Sequence, residues 1–141
     1  MQMFIVPLCA LIFTQIVKGV VHGLRAQFSW RDFFSPGGMP SSHAAMTVSL
    51  CAMAGYFDGV DSVGFAISVI LIVLVLWDAG VLRQIIGKHA GEINRLSHLL
   101  PQEEGAAREF LQERIGHRFP EILVGVVVGL FVSAIYILFL A

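Results

Sequence analysis

Charge is scarce in this chain. Only 13% of its 141 residues are Asp, Glu, Lys or Arg, about half the ~25% usual in a soluble globular domain. So few charges among so many apolar side chains exclude a water-soluble fold, and the hydrophobicity excludes intrinsic disorder. Cysteine is also rare. Cys9 and Cys51 both lie in apolar stretches. Neither has a CxxC or Cys/His spacing, so they read as packing residues and no zinc or iron–sulfur site is expected. Basic residues are not in excess: nine Lys+Arg stand against ten Asp+Glu, for a net charge of -1. That excludes a nucleic-acid binder, which needs a basic footprint. The first apolar stretch lacks a basic lead and a small-x-small cleavage site, so it reads as a retained span rather than a signal peptide. No internal repeat or low-complexity tract is present.

What the sequence has in quantity is apolar length. Hydrophobic residues make up 57% of it and the mean hydropathy is +0.81. Four apolar segments stand out, at about 3–24, 42–57, 62–82 and 121–141. A spanning helix needs ~20 residues, or ~17 at the low end. The first, third and fourth qualify; the second is short. The expected fold is an all-α integral membrane protein of one domain over 1–141. It would have about four transmembrane helices plus amphipathic helices in the segment 83–120. That segment is expected to be helical in two pieces broken at Pro101, the second, 103–118, lying on the membrane surface.

The cations set an orientation. Lys18, Arg25 and Arg31 surround the first connection, none lies in the turn 58–61, and Arg83, Lys88, Arg95, Arg108, Arg114 and Arg118 lie in the third connection. The positive-inside rule puts the first and third connections in the cytoplasm and both termini outside, in the cell's cytoplasmic membrane. Membrane lipids are then the expected surroundings. Gly125-x3-Gly129 in the last span permits close helix approach, either within the chain or in a homodimer.

The most informative string is Pro36-Gly-Gly-Met-Pro-Ser-Ser-His43, which runs straight into an apolar helix. Ser41 or Ser42 suits the N-cap and Pro40 the turn before it. Free N–H groups and the positive end of the helix dipole make such a terminus receptive to anions. His43 in the first turn can carry a proton. Lys18, Arg25 and Arg83 come from three parts of the chain and, if the spans bundle, converge on that terminus. Arg supplies a bidentate fork for phosphate oxygens and Lys a point charge. Asp78, at the end of the third span, pairs with a cation or orients a histidine, since an acid so close to a span is seldom idle. His22 and His98 read as interfacial or surface residues, and His117 as a helix-stop residue or a contact with the cytoplasmic site.

These residues, in this order, carry a resemblance. Lys18-x6-Arg25, Pro40-Ser-Ser-His43 and Arg83-x5-His89 resemble the three motifs of the type-2 phosphatidic acid phosphatase superfamily, related to acid phosphatases and vanadium-dependent haloperoxidases. Its motifs read Lys-x6-Arg-Pro, Pro-Ser-Gly-His and Ser-Arg-x5-His-x3-Asp. More closely, Gly37-Gly38-Met-Pro-Ser-Ser-His43, with Asp78-Ala79, Gly87, Ala90, Asn94, Gly116-His117 and Glu121, looks like a divergent membrane branch of that superfamily. The similarity runs from Gln15 to about Gly129.

The resemblance implies a metal-free phosphohydrolase of lipid phosphates without a cofactor, working through a phosphohistidine. Carried over position by position, His89 is the nucleophile and His43 the general acid. Lys18, Arg25 and Arg83 bind the phosphoryl group, and Ser41 and Ser42 complete the cradle with Gly38 in support. Ile93 stands where the superfamily has the Asp that orients the nucleophile. Glu92, one turn from His89, Asn94 and Asp78 are the residues available for that role. Gly87, Ala90 and Asn94 share a helix face with Arg83, whereas His89 lies ~120° away on a regular helix. A break at Gly87 would be needed to bring His89 round. Two other readings stay open: a phosphate- or phospholipid-binding or transport protein that keeps the cradle, and a structural subunit of a membrane complex.

Overall fold

The computed structural model describes residues 2–24, 39–100, 110–113, 115–116 and 119–140. Among these the chain is all helical, as its composition requires. Helix α1 is Gln2–Leu24, α2 Ser42–Phe57, α3 Val63–Trp77, α4 Arg83–Leu99 and α5 Phe119–Phe139, and a π-helical turn, Asp78–Leu82, joins α3 to α4. Among the described residues, three helical stretches are long and apolar enough to cross a membrane: Gln2–Val21, the continuous Val63–Leu99 and Phe119–Phe139. Helix α2 has 16 residues. At 1.5 Å per residue that is ~24 Å, less than a hydrocarbon core of ~30 Å.

The short helix is the centre of the bundle. It packs against α1, α3 and α5, and α1 also packs on α5. The interior is built of small residues, such as Ala10, Ala44, Ala45 and Ala54, with Met53 the largest fully buried side chain. In lipid no hydrophobic force drives helices together, so close backbone approach must do it. A Cβ at Gly125 would come within 2.4 Å of the Ser41 carbonyl oxygen, and one at Gly129 within 2.4 Å of the Ala45 carbonyl oxygen. Ser133 adds a buried polar tie, its Oγ 2.9 Å from Ser49 Oγ. The Gly125 and Gly129 surfaces are therefore occupied by α2 of the same chain. Of the two roles open to these glycines, the structure shows the contact within the chain.

Large apolar side chains point outward instead. On α3 most residues, including Ile67, Ile70, Val73, Leu74 and Trp77, are exposed and only Ser68 is fully buried. That distribution suits contact with acyl chains. Cys9 is also on the outside, which corrects its reading as an internal packing residue. At the end of the bundle away from the Ser41 cap, the turn 58–61 closes through Gly59 at φ 86. Ser62 then caps α3 by accepting from the Phe65 N–H at 3.1 Å.

The connection after α4 differs from expectation. The first piece is helical, but 110–113 is not; it lies as an irregular strap against α4, and the expected break at Pro101 lies outside the described residues. The reason is the side chain of Asn94, which is buried and imitates a strand partner. Asn94 Oδ1 accepts from the Leu111 N–H at 2.9 Å, and Asn94 Nδ2 donates to the Leu111 carbonyl at 2.8 Å and to Glu113 Oε1 at 2.9 Å. Gly87 makes room for the strap, since a Cβ there would stand 2.3 Å from the Glu113 carbonyl oxygen. The strap carries on to Gly116, whose φ of 101 favours glycine. The His98 and Phe110 rings stack beside it at 5.1 Å.

Candidate active site at the start of helix α2

The cap of α2 gathers four elements. Ser41 is fully buried and its hydroxyl accepts from the Ala44 N–H at 3.4 Å, the capping role its residue type predicts. Its own N–H donates to the Glu121 carbonyl at 3.1 Å, tying the start of α2 to the start of α5. From α1, the Gln15 amide donates to Ser42 Oγ at 3.4 Å. Lys18, three residues further along α1, is buried at 6% exposure.

The fourth element is the junction of α3 and α4. A cavity of about 270 Å³ is lined by His43 from α2, Leu74 and Val75 from α3, Asp78 and Ala79 from the π turn, and Arg83 at the head of α4. Arg83 Nε donates to Asp78 Oδ2 at 2.8 Å. In a regular α-helix, residues five apart lie ~140° from each other and such a pair cannot form without distortion. Here the Arg83 N–H bonds back to the Asp78 carbonyl. That wider turn takes up the extra residue and stacks the two side chains on one side. Gly116 backs the arrangement from the strap: a Cβ there would come within 2.8 Å of Arg83 Cβ and 3.1 Å of the Ala79 carbonyl oxygen.

The expected site residues thus divide. His43, Asp78 and Arg83 share one cavity. Ser41 and Ser42 form the first turn of α2 beside them, and Lys18 is buried in α1. His89 and Glu92 are exposed on α4 and do not line the cavity. Helix α4 is unbroken from Arg83 to Leu99, so His89 stays ~9 Å along the axis from Arg83 and on another face. The irregularity falls before Arg83, not at Gly87. Asn94 is engaged in holding the strap. Arg25 and Gly38 lie outside the described residues. Sequence reasoning missed Gln15 and the π turn. Gln15 left a trace, as one of few polar residues in α1 and close to one helical turn before Lys18; the π turn left none.

Chemically, the cavity offers a guanidinium for phosphoryl oxygens, an imidazole able to exchange a proton, and a carboxylate that holds the guanidinium. Leu74, Val75 and Ala79 supply the apolar part of the lining, while the three polar side chains stay open to solvent.

The Divergent PAP2 family matches residues 1–132 of the chain. The uncharacterized membrane protein YuiD of Bacillus subtilis (strain 168) is 30% identical over 140 residues, an overlap that spans 91% of this chain and 89% of that one. No solved structure matches significantly.

Proposed function

The chain belongs to the Divergent PAP2 family, and from that membership and its cavity we propose that it is a metal-independent phosphohydrolase of lipid phosphates. One observation carries the reading: His43, Asp78 and Arg83, which are far apart in sequence, line a single cavity with Leu74 and Val75. Arg83 and Lys18 hold the phosphoryl oxygens with the first turn of α2 between them. Asp78 fixes the guanidinium. His43 gives its proton to the departing alkoxide. Little more than positioning and charge stabilisation is required for phosphoryl transfer. The outward-facing Leu74 beside the cavity suits a substrate whose acyl chains stay in the bilayer. Because the Lys and Arg residues of the sequence fall in and beside the first and third connections, the positive-inside rule turns the site to the cytoplasm.

The covalent phosphohistidine route needs a nucleophilic imidazole at phosphorus. The resemblance gives that role to His89, and its exposed place on α4 favours a second reading, a phosphate- or phospholipid-binding protein without turnover. Phosphate release from short-chain phosphatidic acid, phosphatidylglycerol phosphate and polyprenyl phosphates, with EDTA present, tests both. Release by the wild type that is abolished in His43→Ala supports the phosphohydrolase. Additional loss in His89→Ala assigns the covalent step to His89, and retained release assigns hydrolysis to attack by water. Binding of lipid phosphate without any release supports the second reading.

A further inference from the structure

One buried side-chain oxygen beside the start of α2 has no hydrogen-bond partner among the described residues. Gln15 Nε2 donates to Ser42 Oγ, while Gln15 Oε1 is buried and, among the described residues, is the one buried side-chain oxygen or nitrogen without a hydrogen-bond partner. Leaving such an atom unmade is costly, and folded proteins avoid it unless something else completes the bond. The other buried polar side chains of the bundle are satisfied internally. Thr14 bonds to the Ala10 and Leu11 carbonyls, Thr47 to those of His43 and Ala44, and Ser133 to that of Gly129.

Its position says what could complete the bond. Ser42 and His43 are consecutive residues of the first turn of α2. The first meets Gln15, and the second lines the cavity with Asp78 and Arg83. Lys18 lies close to one turn further along the same helix as Gln15. The Ser42 hydroxyl can donate as well as accept. The terminal amide can therefore turn over at the same contact, with Oε1 accepting from Ser42 and Nε2 becoming the unpaired end. An anion bound at the α2 terminus selects that orientation, because it gains an N–H donor.

We infer that Gln15 is a phosphate-contacting residue, a second ligand from α1 beside Lys18, held in place by Ser42. The inference rests on the phosphate-site reading above. The amide presents no charge, so it adds direction without adding to the positive charge near the membrane. It would contact whichever phosphate occupies the site, a lipid headgroup or the free product.

The test uses the full-length protein in detergent and two probes, inorganic phosphate and dioctanoyl phosphatidic acid. Binding of each is measured by calorimetry, and the melting temperature is recorded without ligand. Gln15→Met keeps the volume and removes the polar atoms. The expected result is a loss of about tenfold or more in affinity for both probes, the scale of a hydrogen bond to a charged group. The ligand-free melting temperature should be unchanged or raised, because an unsatisfied buried group has gone. Gln15→Glu keeps the shape and the Ser42 contact but repels the anion, and should lose at least as much affinity. It serves alone if the Met variant does not fold. Loss for phosphatidic acid only would place the contact on the glycerol or its acyl esters and not on the phosphate, overturning the assignment. Wild-type affinity in either variant, or a lowered melting temperature with affinity kept, also overturns it and makes Gln15 a packing residue. Absence of binding by the wild type overturns the phosphate-site reading and this inference with it.

Discussion

Replacing Arg83 by methionine separates what the residue does for the fold from what it does for a bound phosphate. Its structural partner is Asp78, at 2.8 Å, but the two side chains are 35% and 45% exposed. Solvent screens a pair so open, and such pairs contribute ~1 kcal/mol at most. Methionine keeps the unbranched stem that packs beside Gly116, so the packing loss is small. The loss of stability should stay below about 1 kcal/mol. The effect on phosphoryl transfer is of another size. A preorganised donor aimed at the charge that develops in the transition state is worth ~3–4 kcal/mol, a loss of roughly 10²–10³ in rate, once bound substrate displaces the water that screens the free pair. The assay pairs phosphate release from dioctanoyl phosphatidic acid with chemical unfolding of the same preparation. A rate near that of the wild type would refute the argument. So would destabilisation beyond ~2 kcal/mol, above what such a pair can supply, because the lost activity would then follow from lost structure.

Three further outcomes follow from the geometry. Asp78→Asn removes the carboxylate that competes with phosphate for the guanidinium, so inorganic phosphate should bind more tightly; unchanged affinity in calorimetry would place the Asp78–Arg83 pair outside the phosphate site. Asn94→Ala removes the three bonds that hold the strap, each worth about 0.5–1.5 kcal/mol, and hydrogen exchange at Leu111 should quicken at least tenfold while α2 keeps its protection. Gly129→Val sets a side chain against the Ala45 backbone and should cost about 1–3 kcal/mol, read as a lower melting temperature; a dimer dissociating with the monomer intact would point instead to an intermolecular role.

The proposed chemistry depends on which residues a membrane chain can afford to keep polar. Lys18, Asp78 and Arg83 lie in or beside long apolar helices, where a charge persists only with a partner or a task. Two of the three share the cavity with His43.

Much of this was legible in the order of residues. Scarce charge and long apolar runs determine a helical membrane protein, because only closed hydrogen bonding survives in lipid. Ser41 and Ser42 before an apolar run determine a capped helix start. The string from Gly37 to His43 and the arginine at 83 mark the family, since local spacing is all such motifs need. Three things were decided only in three dimensions. The π turn pairs Asp78 with Arg83 against the α-helical spacing of their numbers, and nothing in the local sequence marks it. The strap is not helical because Asn94, 17 residues from Leu111, supplies its hydrogen bonds, whereas its own sequence alternates like an amphipathic helix. The face of α4 bearing Gly87 and Asn94, in register with Arg83, reads from sequence as part of the site. In the fold it seats a segment of backbone, because a glycine is needed wherever another chain must come closer than a Cβ allows.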